Sequence, residues 1–135
     1  MNRSPVQGFS LIELLTALAI FAILATITVP SFSGLVARSR RSDAISALLR
    51  VQLAQERWRA NNLTYAPGLA TLGWTSADSP DGYYRLRVVR ADATGFRVTA
   101  QPVGVQRADT CGIFAVDAGG PDYSQGFADE RCWRR

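Results

Sequence analysis

From Leu14 to Ala37 the sequence runs for 24 positions without a charged side chain. As an α-helix rising about 1.5 Å per residue, that run is roughly 36 Å long, enough to cross the hydrocarbon core of a bilayer. Glu13 stands at the inner border of the same apolar block. A lone carboxylate in that position costs on the order of 3 kcal/mol on insertion scales, so it requires a partner or a purpose.

Immediately before the run stands Gly8-Phe9-Ser10-Leu11-Ile12-Glu13. This hexapeptide resembles the processing site of type IV prepilins. The resemblance implies a short leader, Met1–Gly8, cut between Gly8 and Phe9 by a dedicated aspartic membrane peptidase that also N-methylates Phe9. Glu13 then becomes the fifth residue of the mature chain, where the family carries its glutamate. Pro30 falls where many pilins have a proline, and Ser10 stands where threonine is common.

The residues support a physical reading of the same positions. Cleavage creates a cationic α-amine at Phe9. When helices pack side by side with an axial stagger, a neighbour's amine can lie against Glu13 in a low-dielectric core. Such pairing offsets the burial of both charges and fixes the register of a joining subunit. A glutamate merely tolerated near the membrane surface is the plainer alternative. Two plainer readings of the whole segment also stand. One is an ordinary secretory signal peptide, with small residues at Ser31-Phe32-Ser33, although the run is long for a signal core and Glu13 stands just inside the apolar block. The other is an uncleaved membrane anchor.

The rest of the chain, roughly 100 residues, is one domain with a small core that gains from a staple. Two cysteines, Cys111 and Cys132, lie 21 positions apart beyond an export-type segment. That arrangement reads as one disulfide formed outside the cytoplasm, with a pair of buried free thiols as the alternative. A loop of this length stabilises by roughly 3 kcal/mol in the chain-entropy model. All the basic residues are arginine, and the net charge of +4 identifies no partner by itself. One pattern disagrees with export of the domain. Arg38, Arg40 and Arg41 come directly after the apolar run, and the positive-inside rule would leave the C-terminal domain in the cytoplasm. The cysteine pair and the prepilin motif outweigh that signal.

Taken in order, residues 10–61 read as one long helix. Pro30 removes a backbone hydrogen bond and is followed by Ser31, Ser33 and Gly34, so a kink is expected there. In the second half, Ala44, Ala47, Leu48, Val51, Ala54 and Trp58 recur on one face, with Ile45 and Leu49 widening the stripe. Asn61 and Asn62 are plausible terminators. Asn62-Leu63-Thr64 also fits a glycosylation acceptor, which a turn explains as well. Residues 64–82 form a loop punctuated by Pro67-Gly68 and Ser79-Pro80-Asp81-Gly82, with Leu69, Leu72 and Trp74 pinning it down.

Strands come next. Tyr83–Arg90 alternates, with Tyr84, Leu86 and Val88 on one face and Tyr83, Arg85 and Arg87 on the other. Asp92-Ala93-Thr94-Gly95 is a hairpin turn. Phe96, Val98 and Ala100 then continue the inward face, with Arg97, Thr99 and Gln101 outward and Pro102 closing the strand. Cys111–Asp117 reads as a third strand, ended by Gly119-Gly120-Pro121, and the tail from Asp122 has little pattern. This order is similar to the type IV pilin fold. Cys111-Gly112 and Cys132-Trp133 look most like PilE-like minor pilins.

The chain has no histidine, no glycine-rich phosphate loop and no CxxC pair, and nothing in it points to enzyme catalysis. Asp117, Asp122, Asp129 and Glu130 match no defined calcium spacing and read as solvated loop carboxylates, so no metal or cofactor is expected. Arg85, Arg87 and Arg97, with Tyr83 nearby, offer a strip for DNA phosphates and bases, weighed against an ordinary polar sheet face.

The expectation is therefore an α+β type IV pilin fold. A leader (1–8) precedes a membrane and filament-core helix (9–37) and a globular domain (38–135). That domain comprises the helix half 38–62, a variable loop 63–82, an antiparallel sheet of three or four strands over 83–117, and a disulfide-closed loop 111–132. The resemblance implies a minor pilin, serving filament assembly and thereby adhesion, twitching motility or DNA uptake. Its partners would be other pilin subunits, the prepilin peptidase, the inner membrane and the assembly platform. It would begin in the inner membrane and end in an extracellular filament. A type II secretion pseudopilin is the runner-up, and an exported binding domain on an uncleaved anchor stands third.

Overall fold

A computed structural model describes residues 8–134, with residues 28–31 described by their backbone only. The chain divides into two compact units, one ending at Leu35 and the other running from Val36 to the C-terminus.

The first unit is helix. Helix α1, Leu11–Arg59, begins where the Ser10 carbonyl accepts from the Glu13 and Leu14 amides, and it continues through position 30. Position 30 remains helical, but the side chains of 28–31, Pro30 among them, lie outside the described residues. Thr16 and Thr26 turn their hydroxyls back onto the carbonyls of Glu13 and Ile23, which hides two polar groups within an otherwise greasy surface. No side chain of the apolar window is buried within the chain. Leu11, Leu18 and Phe21 are each 70 % exposed or more.

The second unit packs the remainder of α1 on one face of a four-stranded antiparallel sheet. The strands are β1 (Tyr84–Ala91), β2 (Phe96–Pro102), β3 (Phe114–Asp117) and β4 (Gly120–Pro121), in the spatial order β1-β2-β3-β4. Alternation places Tyr84, Leu86, Phe96, Val98, Ala100, Phe114 and Val116 against Ala44, Ala47, Leu48 and Val51 of the helix. Small alanines at 44 and 47 let the helix approach the strands closely, while Leu48 fills the space between. Asp92 closes the β1–β2 hairpin, its amide donating to the Gly95 carbonyl and its carboxylate accepting from the Thr94 and Gly95 amides. A bulge between Val88 and Arg90 shifts the register near that turn. The Cys111–Cys132 disulfide is formed, and it ties the C-terminal segment to the approach of β3. Leu69, Leu72 and Trp74 pack partly buried against the core, as expected for the long loop.

Three expectations need correction. Leu49 lies outside the buried stripe and is 46 % exposed. The buried face of the helix also includes two polar residues, Asp43 and Gln55. The third strand starts at Phe114, three residues after Cys111, because the chain turns at 109–112 and Gly112 adopts a left-handed φ of 62°. The tail is more ordered than its composition suggests. It contributes β4 and a one-turn helix α2, Glu130–Trp133, capped by the Asp129 carboxylate accepting from the Cys132 amide. Between β2 and β3 the chain also forms a 3-10 turn, Gly104–Ala108, where the sequence pattern marks no element.

Candidate functional site

The N-terminal segment presents its candidate residues openly. Gly8 and Phe9 precede the helix and are exposed, Phe9 at 80 %. A β-carbon built on Gly8 would meet nothing within 4 Å, and its φ is not left-handed. Nothing inside the described chain therefore calls for glycine at position 8. Glu13 occupies the first turn of α1, where a carboxylate suits the positive end of the helix dipole. It has no side-chain partner among the described residues. The segment thus combines one open carboxylate with a helix whose apolar side chains find no cover in their own chain.

On the globular unit the outward face of the sheet carries the predicted arginines. Register pairs Arg85 with Gln101, Arg87 with Thr99 and Arg90 with Arg97. Arg85, Arg87, Arg97, Thr99, Gln125 and Phe127 line a groove of about 550 Å³ between this face and the C-terminal loop. The three arginines are not equivalent. Arg87 is exposed with no acidic partner among the described residues, and Arg85 makes an exposed 3.0 Å pair with Asp78. Arg97 is committed to the fold: it pairs at 2.7 Å with Asp122, whose side chain is 7 % exposed, and donates to the Gln125 amide oxygen. Tyr83 does not join this strip, because Arg40 of α1 covers its ring at 4.8 Å. Gln125 adopts a left-handed φ of 57°, unusual for a residue with a β-carbon, at the lip of the groove.

The loop carboxylates are each occupied locally. Asp117 accepts from the Gly119 amide, Asp122 from the amide and hydroxyl of Ser124, and Glu130 from Arg134. Burial raises the Asp122 carboxyl, but Ser124 and Arg97 more than offset that and hold it below the ordinary aspartate range. Among the described residues no cluster of acidic or cysteine side chains is arranged to hold a metal ion.

Sequence reasoning missed a polar cluster where α1 enters the globular unit. Arg41 donates to both oxygens of Asp109, at 2.7 and 2.6 Å. The Gln106 amide nitrogen lies 3.0 Å from three acceptors: the Ala37 carbonyl, the Tyr84 hydroxyl and Asp109. A second polar pin joins α1 to the long loop. The buried Asp43 carboxylate accepts from the Ser79 hydroxyl and from the Asp81 and Tyr83 amides. A third pairs the Gln55 side-chain amide with both backbone groups of Ala66. The available signal was position: 51 and 55 are four apart, as are 43 and 47, so polar side chains at 43 and 55 fall in register with the apolar stripe.

Comparison with known proteins adds two family models. One, described as "Type IV minor pilin ComP, DNA uptake sequence receptor", matches residues 30–115. The other, "Prokaryotic N-terminal methylation motif", matches residues 3–29. A type IV major fimbrial protein, FimA of Dichelobacter nodosus, is 34 % identical over 80 residues, which is 59 % of this chain and 50 % of that protein. Core protein G of a type II secretion system, from Klebsiella michiganensis, is 28 % identical over 65 residues, 48 % of this chain and 46 % of that one. The chain thus spans about half the length of these curated relatives. Among solved structures, a type IV pilin from Shewanella oneidensis superposes with a TM-score of 0.53 at 26 % identity, covering 73 % of this chain and 99 % of that one.

Proposed function

This chain belongs to the type IV pilin family, and from that premise we propose that it is a minor pilin, cut between Gly8 and Phe9, N-methylated at Phe9 and stored in the inner membrane until assembly. The family and fold are those of a structural subunit and not of an enzyme. One observation carries the finer reading. The apolar window of α1 is uncovered on every side, with Glu13 alone at its beginning. Such a helix is stable only in lipid or among helices like itself, and exchanging one cover for the other need not expose it to water. Glu13 then accepts the α-amine of a neighbour's Phe9 and sets the stagger between subunits. A bend at Pro30 belongs to the same proposal, as a place where packed helices adjust. The globular unit faces outward, offering the 64–82 and 111–132 loops to partners.

Mass spectrometry of the mature N-terminus tests the processing. N-methylphenylalanine at position 9 is the expected result, and a chain that begins near Gly34 or keeps Met1 would overturn it.

A second reading concerns what the filament touches. The family model matching residues 30–115 is described by a DNA uptake sequence receptor, and the sheet face supplies Arg87, without an acidic partner among the described residues, and Arg85 in an exposed pair with Asp78. We infer that this face contacts nucleic-acid phosphates during DNA uptake. Replacing Arg87 by glutamate should weaken DNA binding by the detergent-solubilised chain and flatten its salt dependence by about one phosphate contact. Unchanged affinity and slope would reject the reading. The similarity to core protein G keeps a secretion pseudopilin as the alternative destination, and deletion of the gene separates the two by whether pili or secreted enzymes are lost.

A further inference from the structure

Ala37 is the last residue of the charge-free run, so in the membrane-held form the headgroup layer begins there. The 3-10 turn Gly104–Ala108 is fastened to that same point. Gln106 donates to the Ala37 carbonyl at 3.0 Å, and Asp109, just past the turn, grips Arg41 one helical turn further on. Gly104, with φ 54°, reverses the chain as it leaves β2. What the turn then offers to solvent serves no purpose inside the fold. Val105 is 68 % exposed, and Arg107 is exposed with no partner among the described residues. Arg38, next to Ala37, is likewise exposed and without a partner among the described residues, and Arg40 lies over the Tyr83 ring. No acidic residue occurs between Glu13 and Asp43, and the nearby carboxylates of Asp109 and Asp43 are both engaged.

We propose that this turn and its arginines form a collar that docks on anionic phospholipid headgroups where α1 leaves the bilayer. Val105 enters the interface between headgroup and acyl chain, and Arg38 and Arg107 meet phosphates. An apolar side chain flanked by cations is the chemistry that a negatively charged membrane surface recognises, each arginine near such a surface being worth about fivefold in binding. The collar also gives the three arginines after the apolar run a use other than topology. Arg41 builds the domain, Arg40 stacks on Tyr83, and Arg38 faces lipid. Docking holds the globular unit against the membrane before assembly, and extraction into a filament has to release it.

This inference rests on the reading of α1 as a membrane helix, and its test separates the two. The full chain, with Cys111 and Cys132 oxidised, is reconstituted into nanodiscs of zwitterionic phosphatidylcholine or of the same lipid with phosphatidylglycerol. A nitroxide is attached at Val105→Cys, or for control at Leu63→Cys, beyond the far end of α1. In anionic discs the label at 105 should lose collisions with a water-soluble relaxant severalfold relative to neutral discs, while the label at 63 stays in water. Replacing Arg38 and Arg107 together by glutamate should abolish the difference. In the unlabelled chain, hydrogen exchange at 104–108 should slow only in anionic discs, which guards against a disturbed disulfide. A label equally wet in both lipids would overturn the collar with the anchor intact. Protection by added duplex DNA in place of anionic lipid would assign the collar to nucleic acid and overturn it also. A chain that fails to enter discs at all would overturn the membrane reading and the collar with it.

Discussion

Burial alone would raise the Asp109 carboxyl, yet the Arg41 guanidinium, the Cys111 amide and Gln106 hold it below the ordinary aspartate range. Its folded pKa therefore lies under the unfolded value of about 3.9. The stability it contributes is present above about pH 4 and is lost as pH falls through the folded value. Urea midpoints should drop as pH falls below about 4, and Asp109→Asn should flatten that decline; an unaltered acid profile would contradict it. At neutral pH, Asp109→Ala leaves a mostly buried Arg41 without its counter-charge, at a cost of about 3–5 kcal/mol. The Tyr84 phenol responds at the other end of the scale. Burial pushes it up to about 12, against a lowering by the Gln106 hydrogen bond. A raised phenol contributes stability that is complete below about pH 10 and is lost as pH rises through about 12. The near-ultraviolet signal of tyrosinate should therefore show one ring ionising only as the protein unfolds, and Tyr84→Phe should remove that late step. The polar contacts among these four residues have no signature in the sequence. Arg41 and Asp109 are 68 positions apart, and nothing periodic links them.

The elements were far more legible. Period-two alternation placed Tyr84, Leu86, Phe96, Val98 and Ala100 on the inward face, and helical spacing placed Ala44, Ala47, Leu48 and Val51 against them. Those patterns arise from burial of whole faces, which repeats locally along the chain. The polar pins repeat nowhere: Asp43 and Gln55 share the register of the apolar stripe but nothing periodic names their partners, and Arg97 reads as an outward strand residue because Asp122 reaches it only after two chain reversals. The same distinction governs how each element fails when disturbed. The Cys111–Cys132 bridge closes a loop of 21 positions, and replacing both cysteines by serine should cost roughly 3 kcal/mol in the globular unit. The helical circular dichroism of α1 should survive that change under native conditions. Loss of helix signal in parallel with the sheet would mean that the C-terminal loop supports the whole fold. Asp43→Ala strips three donors of their acceptor, with an expected cost of about 2–4 kcal/mol and faster hydrogen exchange at the Asp81 and Tyr83 amides.

At the scale of the molecule, the chain divides its work between a unit that satisfies itself and one that cannot. From Val36 onward the core is closed by a helix, a sheet and a disulfide. Up to Leu35, every large apolar side chain described is exposed, and the single carboxylate has no side-chain partner among the described residues. That half was legible because the feature is a prohibition: 24 positions without charge have few stable surroundings. No described residue of the same chain covers them. If Glu13 takes up a neighbour's Phe9 amine, removing the carboxylate leaves that amine buried without a counter-charge, a penalty of about 3–5 kcal/mol per subunit. Since about 1.4 kcal/mol is a factor of ten, incorporation into filaments should fall at least about a hundredfold. Glu13→Ala and Glu13→Gln should be equally impaired, because the glutamine keeps the shape and loses only the charge. Both should still be cut after Gly8 and retained in the membrane, as the apolar run is untouched. Counting the variant subunits in sheared filaments against those in the membrane fraction measures the effect. Wild-type incorporation of either variant would mean that the stagger is set by apolar packing and that Glu13 pairs with nothing.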